Sequence, residues 1–434
     1  MTNKLFRVNA TAVLLAISLV SMVPELSAEP MHTPTKMPKA KAESVGMSTE
    51  VLGRIDEIMR EQMDAGRIQG GATIVARRGK VVHFSTHGEM NVEKSRAMET
   101  DALYIMASSA KPVIGVATLM LVDEGLISLS DPISKFIPEF ANQKVVVSVK
   151  SPKMDGKKEW NKEKKGNKSK EWDKSKRKVS KGKVDEPLQQ LVPSEIPLTI
   201  HHLLTHTSGL PRRAILRNKG DSLATYVPKL ATAPLAFQPG TRFVYGNVGI
   251  HSVLPRIIEI VSETPFNEFM QKRIFDPLEM NNTHFHVPRE KVSKLVLMEA
   301  YKSKGGGGLV STVEDFLHFE QMLLNGGELF GHRLLRPETV KMMGTNQVGD
   351  LFATSGKGVK AQKGMGFGYA VSVTLDPIAA DNGRGIGAFG WGGAAGTLHW
   401  TDPENDLVGV LMLQQSGSNV GRKFAKIIGK AIID

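Results

Sequence analysis

Apolar and polar positions follow two different rhythms along the chain, and the change of rhythm divides it. From Met47 to Met63 the apolar residues recur at helical spacing behind Ser48, with Glu50 near that cap, which predicts an amphipathic helix. Gly70–His87 is apolar-rich on both sides of Arg78-Gly79 and predicts two strands joined by a turn. Residues 107–125, ASSAKPVIGVATLMLVDEG, are apolar nearly all round past Lys111, so they predict a helix buried in the protein centre. Pro112 fits only near a helix start, which places Ser108 at the first turn. Gly125 is placed for a left-handed C-terminal cap.

The middle of the chain keeps the helical rhythm. Leu129–Phe140 predicts a turn and a short helix, Thr199–Leu210 a capped helix ending at Gly209, His251–Ile274 a long helical run, and Thr312–Leu324 another helix. From Met365 the pattern becomes that of strands. GFGYAVSVTL, IGAFGWGGAAGTLHWTD and LVGVLMLQQ have the Gly-punctuated alternation of antiparallel strands packed on one face. Arg422–Ile433 predicts a closing helix. The class is α+β, with a sheet part at about 40–107 and 295–434 and a mainly helical part at about 108–294.

Two stretches stand apart from this pattern. Residues 1–28 combine Lys4 and Arg7, an apolar run from Ala10 to Val23 and a small-residue site at Leu26-Ser27-Ala28, and read as a secretory signal peptide. A periplasmic or secreted protein is expected, with no transmembrane span after cleavage. The second stretch is an insert from Lys144 to about Leu191. Between Lys150 and Lys183 it carries fifteen Lys or Arg against five Asp or Glu, so ten of the twelve formal positive charges of the chain are local to it. The rest is close to neutral, and no nucleic-acid binding is expected. The insert reads as a solvated surface loop; the sharper reading is an arm for an acidic surface, with Trp160 and Trp172 adding contact area. The remaining composition, 41% hydrophobic and 23% charged, is that of an ordinary globular protein. There is no Cys, which excludes disulfides, thiolate metal sites and a Cys nucleophile.

The candidate chemistry starts at the buried helix. Ser108 and Lys111 lie on one face at i,i+3 spacing; a desolvated Lys is able to work as a neutral base beside a weak hydroxyl nucleophile. The tetrapeptide alone also fits a Ser N-cap with a solvated Lys. His202 and His206 have the spacing of a zinc pair but no Glu between them, and, like His284 and His286, read as structural. Ser208 lies in T-S-G and no G-x-S-x-G occurs, so an α/β-hydrolase nucleophile elbow is not supported. Gly305–Gly308 lacks a following Gly-Lys-Ser/Thr and is no phosphate loop. No metal or cofactor is required.

Three motifs follow in order: Ser108-Ser109-Ala110-Lys111, Tyr245-Gly246-Asn247 and Trp391-Gly392-Gly393. With LLTHTSGL (203–210), the glycine run before LVST, GFGYAV (366–371) and DPENDLVGVLM, the chain resembles the serine β-lactamase and penicillin-recognising superfamily in its class C-like branch. That branch includes the family VIII carboxylesterases and peptidase family S12. The resemblance covers about residues 40–434 outside the insert. It implies an antiparallel sheet flanked by terminal helices, a mainly helical lobe and an active site in the cleft between.

The resemblance also implies a role for each matching residue. Ser108 forms an acyl-enzyme, and Lys111 and Tyr245 share the proton work. Asn247 orients Lys111 or the substrate, and the backbone N–H groups of Ser108 and Ala394 form the oxyanion hole. A Tyr base is useful only if a cation depresses its pKa, and Lys111 is the obvious one. The β-lactamases carry Lys-Thr-Gly at the third motif. Trp391 and Gly392 offer no cation and no hydroxyl there, which weakens carboxylate binding, and the Trp391 ring suits an apolar acyl or alcohol group. The expected function is ester hydrolysis, with a weak β-lactamase activity at the side. Two other readings stay open: a D-Ala-releasing peptidase on cell-wall peptides, and a non-catalytic protein that docks through the insert.

Overall fold

A strand whose every residue is buried must have both faces of its sheet covered. The strand Gly70–Arg77 (β1) is such a strand. With Lys80–Asn91 (β2), Arg96–Ala97 (β3), Met365–Phe367 (β4), Ser372–Thr374 (β5), Phe389–Gly392 (β6), Leu398–Asp402 (β7) and Leu407–Leu413 (β8) it forms an eight-stranded sheet in the order β4-β5-β6-β7-β8-β1-β2-β3. Every neighbouring pair is antiparallel. The first and last parts of the chain meet where β1 pairs with β8, Ile74 opposite Val410. The computed structural model describes residues 36–91, 95–149, 188–296, 308–355, 362–415 and 418–434.

The period of two sorts this sheet into two cores. Ala72, Ile74 and Ala76, with their partners Met412, Val410 and Val408, face the larger core. Val75, Leu411, Leu413 and Trp400 face the smaller one. The helices Thr49–Asp64 (α1) and Val420–Ala431 (α4) cover the smaller core with Leu52, Ile55, Met59, Phe424 and Ile428. Ser48 caps α1 by accepting from the Val51 N–H. The helices Ala110–Asp123 (α2) and Val313–Leu324 (α3) belong to the larger core. The expectation of strands packed on one face is therefore corrected: β1 and β8 are covered on both sides.

Three predicted elements differ from what forms. The helix expected over Thr199–Leu210 stops at Leu204, because tertiary backbone bonds compete for the following residues: Val244 N–H to His206 O and Ala236 N–H to Gly209 O. The run His251–Ile274 is broken at Glu263 (φ 53°), before Pro265, and the chain winds as π-turns at Gly249–Val253 and Gln271–Phe275. The base of the insert is ordered: Lys144–Val149 pairs antiparallel with Leu188–Pro193, Val147 opposite Gln190. The signal segment 1–28 and the Lys-rich run 150–183 lie outside the described residues. Among the described residues no helix is long and apolar enough to cross a membrane.

One polar cluster inside the larger core fixes the strand that carries Trp391. Glu320 on α3 is 1% exposed, and its carboxylate lies 2.6 Å from His399 Nδ1 and accepts from the Thr401 hydroxyl at 2.8 Å. His399 on β7 is the cross-strand partner of Trp391 on β6. Glu320→Ala leaves the buried His399 Nδ1 without its partner, while the Thr401 hydroxyl keeps the Glu320 backbone carbonyl at 2.9 Å, and is expected to cost about 3 kcal/mol. Urea unfolding at unchanged m-value measures it; a loss below about 1 kcal/mol would show that the cluster is replaceable.

Candidate active site

Two adjacent serines enter the buried helix, and the structure separates them. Tyr104–Ile105 pairs with Val310–Ser311, and the chain then turns sharply at Ala107, whose φ of 47° lies in the left-handed region. A short 3-10 turn over Ala107–Ser109 leads directly into α2. Ser109 is fully buried and bonded to the Thr397 hydroxyl at 2.8 Å, so it ties α2 to the turn between β6 and β7. Ser108 is half-buried, and its hydroxyl is open to a cavity of about 640 Å³. It makes no helix cap; the N-cap alternative for this serine is not realised.

Lys111 is completely buried, and no carboxylate pairs with it among the described residues. Its Nζ lies 3.0 Å from Ser108 Oγ and donates to Asn247 Oδ1 at 2.9 Å. The Nζ also sits over the face of the Tyr245 ring, 4.7 Å from its centroid. Desolvation lowers its pKa to about 7, so a large fraction is the neutral amine at neutral pH. Two imidazoles next to it are also held neutral. His206 is driven well below its ordinary value and His251 to about 3, in each case first by burial and then by the Lys111 charge.

The Tyr245 hydroxyl accepts from Trp391 Nε1 at 3.2 Å and is hydrogen-bonded to the Ser108 side chain. Burial raises its pKa, and those two hydrogen bonds only partly oppose the rise. The expected depression by Lys111 is absent for two physical reasons. The ammonium faces the ring and not the hydroxyl, and its own charge is suppressed by desolvation. Arg212 holds this segment in place: its carbonyl accepts from Asn247 N–H at 2.9 Å and its Nε donates to the Tyr245 carbonyl at 3.1 Å. The approach is so close that a Cβ on Gly246 would lie 3.1 Å from Arg212 Cα, which accounts for glycine between Tyr245 and Asn247.

The third motif ends β6. Gly393 N–H donates to Thr397 O at 2.8 Å, closing a turn that touches the nucleophile segment. A Cβ at Gly393 would lie 2.4 Å from the Met106 carbonyl, so only glycine lets these two backbones meet. Ala394 lines the same cavity as Ser108, and its N–H donates to no group among the described residues. Trp391 and Gly392 stand on β6 opposite His399 and Leu398. The Trp391 ring packs against Tyr245 and Phe367, at 5.4 and 5.3 Å between centroids, and does not line the Ser108 cavity. The apolar walls come instead from residues such as Ile114, Leu223, Pro255, Phe266 and Phe285.

Ser108, Lys111, Tyr245 and Asn247 are thus within hydrogen-bond reach of one another in a chain, with Trp391 packed on Tyr245 and Ala394 lining the same cavity as Ser108. The motifs did not reveal that Arg213, Arg217, His251 and His286 share that cavity. The only signal for the arginines was their density in PRRAILR (211–217). His202 caps its own short helix through Thr199, whereas His206 packs on Tyr245 with ring centroids 4.7 Å apart. Among the described residues no group of three or more His, Asp or Glu is placed to hold a metal ion.

Known proteins share this arrangement of chain. The family model described as Beta-lactamase matches residues 55–150 and 176–430. Protein Rv1367c of Mycobacterium tuberculosis (strain ATCC 25618 / H37Rv) is 29% identical over 390 residues, covering 82% of this chain and 88% of that protein. Esterase EstB of Burkholderia gladioli is 26% identical over 411 residues, covering 82% of this chain and 88% of that protein. The solved structure of EstCE1, a hydrolase with promiscuous acyltransferase activity, superposes with a TM-score of 0.66 at 20% identity, over 89% of this chain and 99% of its own. The resemblance carried by the three motifs and the fold built around them agree with these matches: the chain belongs to the Beta-lactamase family and is a serine hydrolase.

Proposed function

We propose that the protein hydrolyses carboxylic esters through an acyl-enzyme on Ser108. The observation that carries this reading is the fully buried Lys111 amine, with no carboxylate partner among the described residues, 3.0 Å from Ser108 Oγ. A charged lysine has no lone pair to offer; one with its pKa near 7 has. Neutral Lys111 takes the Ser108 proton as Oγ bonds to the ester carbonyl carbon. The carbonyl oxygen becomes an oxyanion, held by the Ser108 and Ala394 N–H groups. Collapse breaks the bond to the alcohol oxygen, which receives a proton from the Lys111 and Tyr245 pair. Water then attacks the acyl-enzyme, giving its proton to the same pair, and the carboxylic acid leaves as Ser108 regains its hydrogen.

Ester specificity is supported by the third motif, where Trp391 and Gly392 place no ammonium and no hydroxyl. A β-lactam carboxylate finds no anchor there, so β-lactam hydrolysis is expected only as a slow side reaction. The esterase among the relatives supports the same choice. Residues 1–28 support export to the periplasm or the medium.

Hydrolysis of p-nitrophenyl butyrate by the purified chain tests the reading. Ser108→Ala is expected to lower kcat/KM by about a thousandfold or more, and brief quenching of the native enzyme should leave a butyryl group on Ser108 by mass spectrometry. Activity surviving in Ser108→Ala would overturn the assignment. Release of D-Ala from a muropeptide with no ester turnover would replace it by the peptidase reading.

The Lys111 pKa fixes the pH profile. Below about 7 the amine is protonated and cannot act, so kcat/KM should rise with pH to a plateau above that value. Lys111→Arg, which keeps its charge at all these pH values, should be inactive throughout. A flat profile from pH 5 to 9 would exclude Lys111 as the base. The same shift has a sign for stability. The folded-state pKa lies below the ordinary 10.5, so between about 7 and 10.5 the unfolded chain binds the extra proton and stability rises with pH. Below about 7 the full penalty applies, on the order of several kcal/mol. Lys111→Met should therefore be inactive yet more stable at pH 7, by about 1–3 kcal/mol, with the gap closing towards pH 10. Equal melting temperatures at pH 7 would refute the desolvation account.

A further inference from the structure

The cavity in front of Ser108 contains charge that the proposed ester chemistry does not use. Arg213 and Arg217 line it, both exposed, and among the described residues no Asp or Glu lines it with them. Neither arginine has an ion-pair partner among the described residues. The nearest acid in sequence, Asp221, is turned away: its carboxylate accepts from Lys229 Nζ at 2.9 Å and from the Asn218 N–H at 2.8 Å. The two guanidinium groups are not free-floating either. Arg212, one residue earlier, is bonded to the Tyr245 carbonyl and to Asn247 N–H, so the segment is fastened to the site at its start. Arg217 stacks on the ring of Tyr226, 5.2 Å from its centroid, which limits its orientations. The lining of the same cavity is mixed: Leu223, Pro255, Phe266 and Phe285 give it apolar surface, and Asn247, His251, Ser252, Asn267 and His286 give it neutral polar groups.

A pair of arginines with no ion-pair partner among the described residues, in a cavity that also has apolar lining, is complementary to a substrate that carries both an apolar span and an anion. We infer that the ester this enzyme takes carries a carboxylate, held by Arg213 and Arg217 at the mouth of the Ser108 cavity. The inference rests on the reading of that cavity as the ester site. It differs from the β-lactamase arrangement, in which the carboxylate is held at the third motif; here that position is Trp391, and the cations come from the segment 211–217.

The experiment compares matched esters on the full chain. On the acyl side, the mono-p-nitrophenyl esters of adipic and suberic acid are set against p-nitrophenyl hexanoate and octanoate. On the alcohol side, the butyrate ester of 4-hydroxybenzoate is set against that of 4-hydroxyacetophenone. In at least one pair the acid should be preferred by about tenfold or more in kcat/KM, and the preference should shrink when salt is raised from about 0.05 to 0.5 M. In Arg213→Gln/Arg217→Gln the ratio of acidic to neutral kcat/KM should fall by about tenfold, chiefly through KM. The comparison on the native chain needs no variant, so a misfolded double variant does not spoil it. Acidic and neutral esters turned over equally in both pairs, with Ser108 still required, would overturn the inference and leave the esterase reading intact. No turnover of any ester would overturn both.

Discussion

A lysine amine buried in an apolar core, with no counter-charge among the described residues, is the constraint on which the rest of this molecule depends. Lys111 sits on α2 among Val113, Ile114, Val116 and Ala117, all completely or almost completely buried. The helix is apolar on every side because it is surrounded, and Lys111 inherits that environment. Desolvation alone brings its pKa to about 7. A carboxylate within hydrogen-bond distance would reverse this, holding the amine as a cation with no lone pair for Ser108. The polar atoms that do touch it, an amide oxygen and a hydroxyl, satisfy the amine without restoring its charge. The larger core must therefore supply the stability that Lys111 removes, and the sheet that closes over α2 is as much a part of the site as Ser108.

Three segments must reach that amine from distant parts of the chain, and backbone sterics decide which residues let them. Gly246 allows the Tyr245 segment to lie against Arg212. Gly393 allows the turn after β6 to touch Met106. Ala107 accepts a left-handed φ so that Ser108 projects from the end of a strand into the first turn of a helix. The glycines of the second and third motifs are spacing elements, and the chemistry lies in the residues beside them. Ser109 completes the assembly by bonding to Thr397, so one serine of the pair is structural and its neighbour is left available.

Much of this was legible in the sequence where the signal was local. The all-round apolar pattern after Lys111, the helical run Thr312–Leu324, the Ser48 cap and the strand rhythm after Met365 correspond to α2, α3, α1 and β4–β8. What could not be read depended on partners far along the chain. The 199–210 helix ends early because backbone from residues 236 and 244 takes its hydrogen bonds. Strands Lys144–Val149 and Leu188–Pro193 flank a long Lys-rich run, so the pairing that orders the second of them has no short-range signature. The cavity-lining arginines stand in a polar loop that composition alone assigns to solvent. The Trp391 ring could be assigned a size from the sequence but not a direction, and in the structure it packs against Tyr245.

That direction bears on how the proton work is divided. A lysine in the third motif, as the β-lactamases have, would set a cation near the Tyr245 hydroxyl and favour its phenolate. Trp391 provides a neutral N–H instead, and the Ser108 hydroxyl is the other group bonded there. Neither overcomes burial, so Tyr245 stays a phenol through the neutral range. Under the proposed mechanism this leaves one group with a lone pair to take the Ser108 proton, and it is Lys111. Tyr245, protonated and pinned by Trp391, is suited to pass a proton to the departing alcohol. Under the proposed mechanism, an aromatic residue in place of a charged one at this motif thus alters more than the fit of a carboxylate: it leaves the lysine rather than the tyrosine as the group suited to act as base.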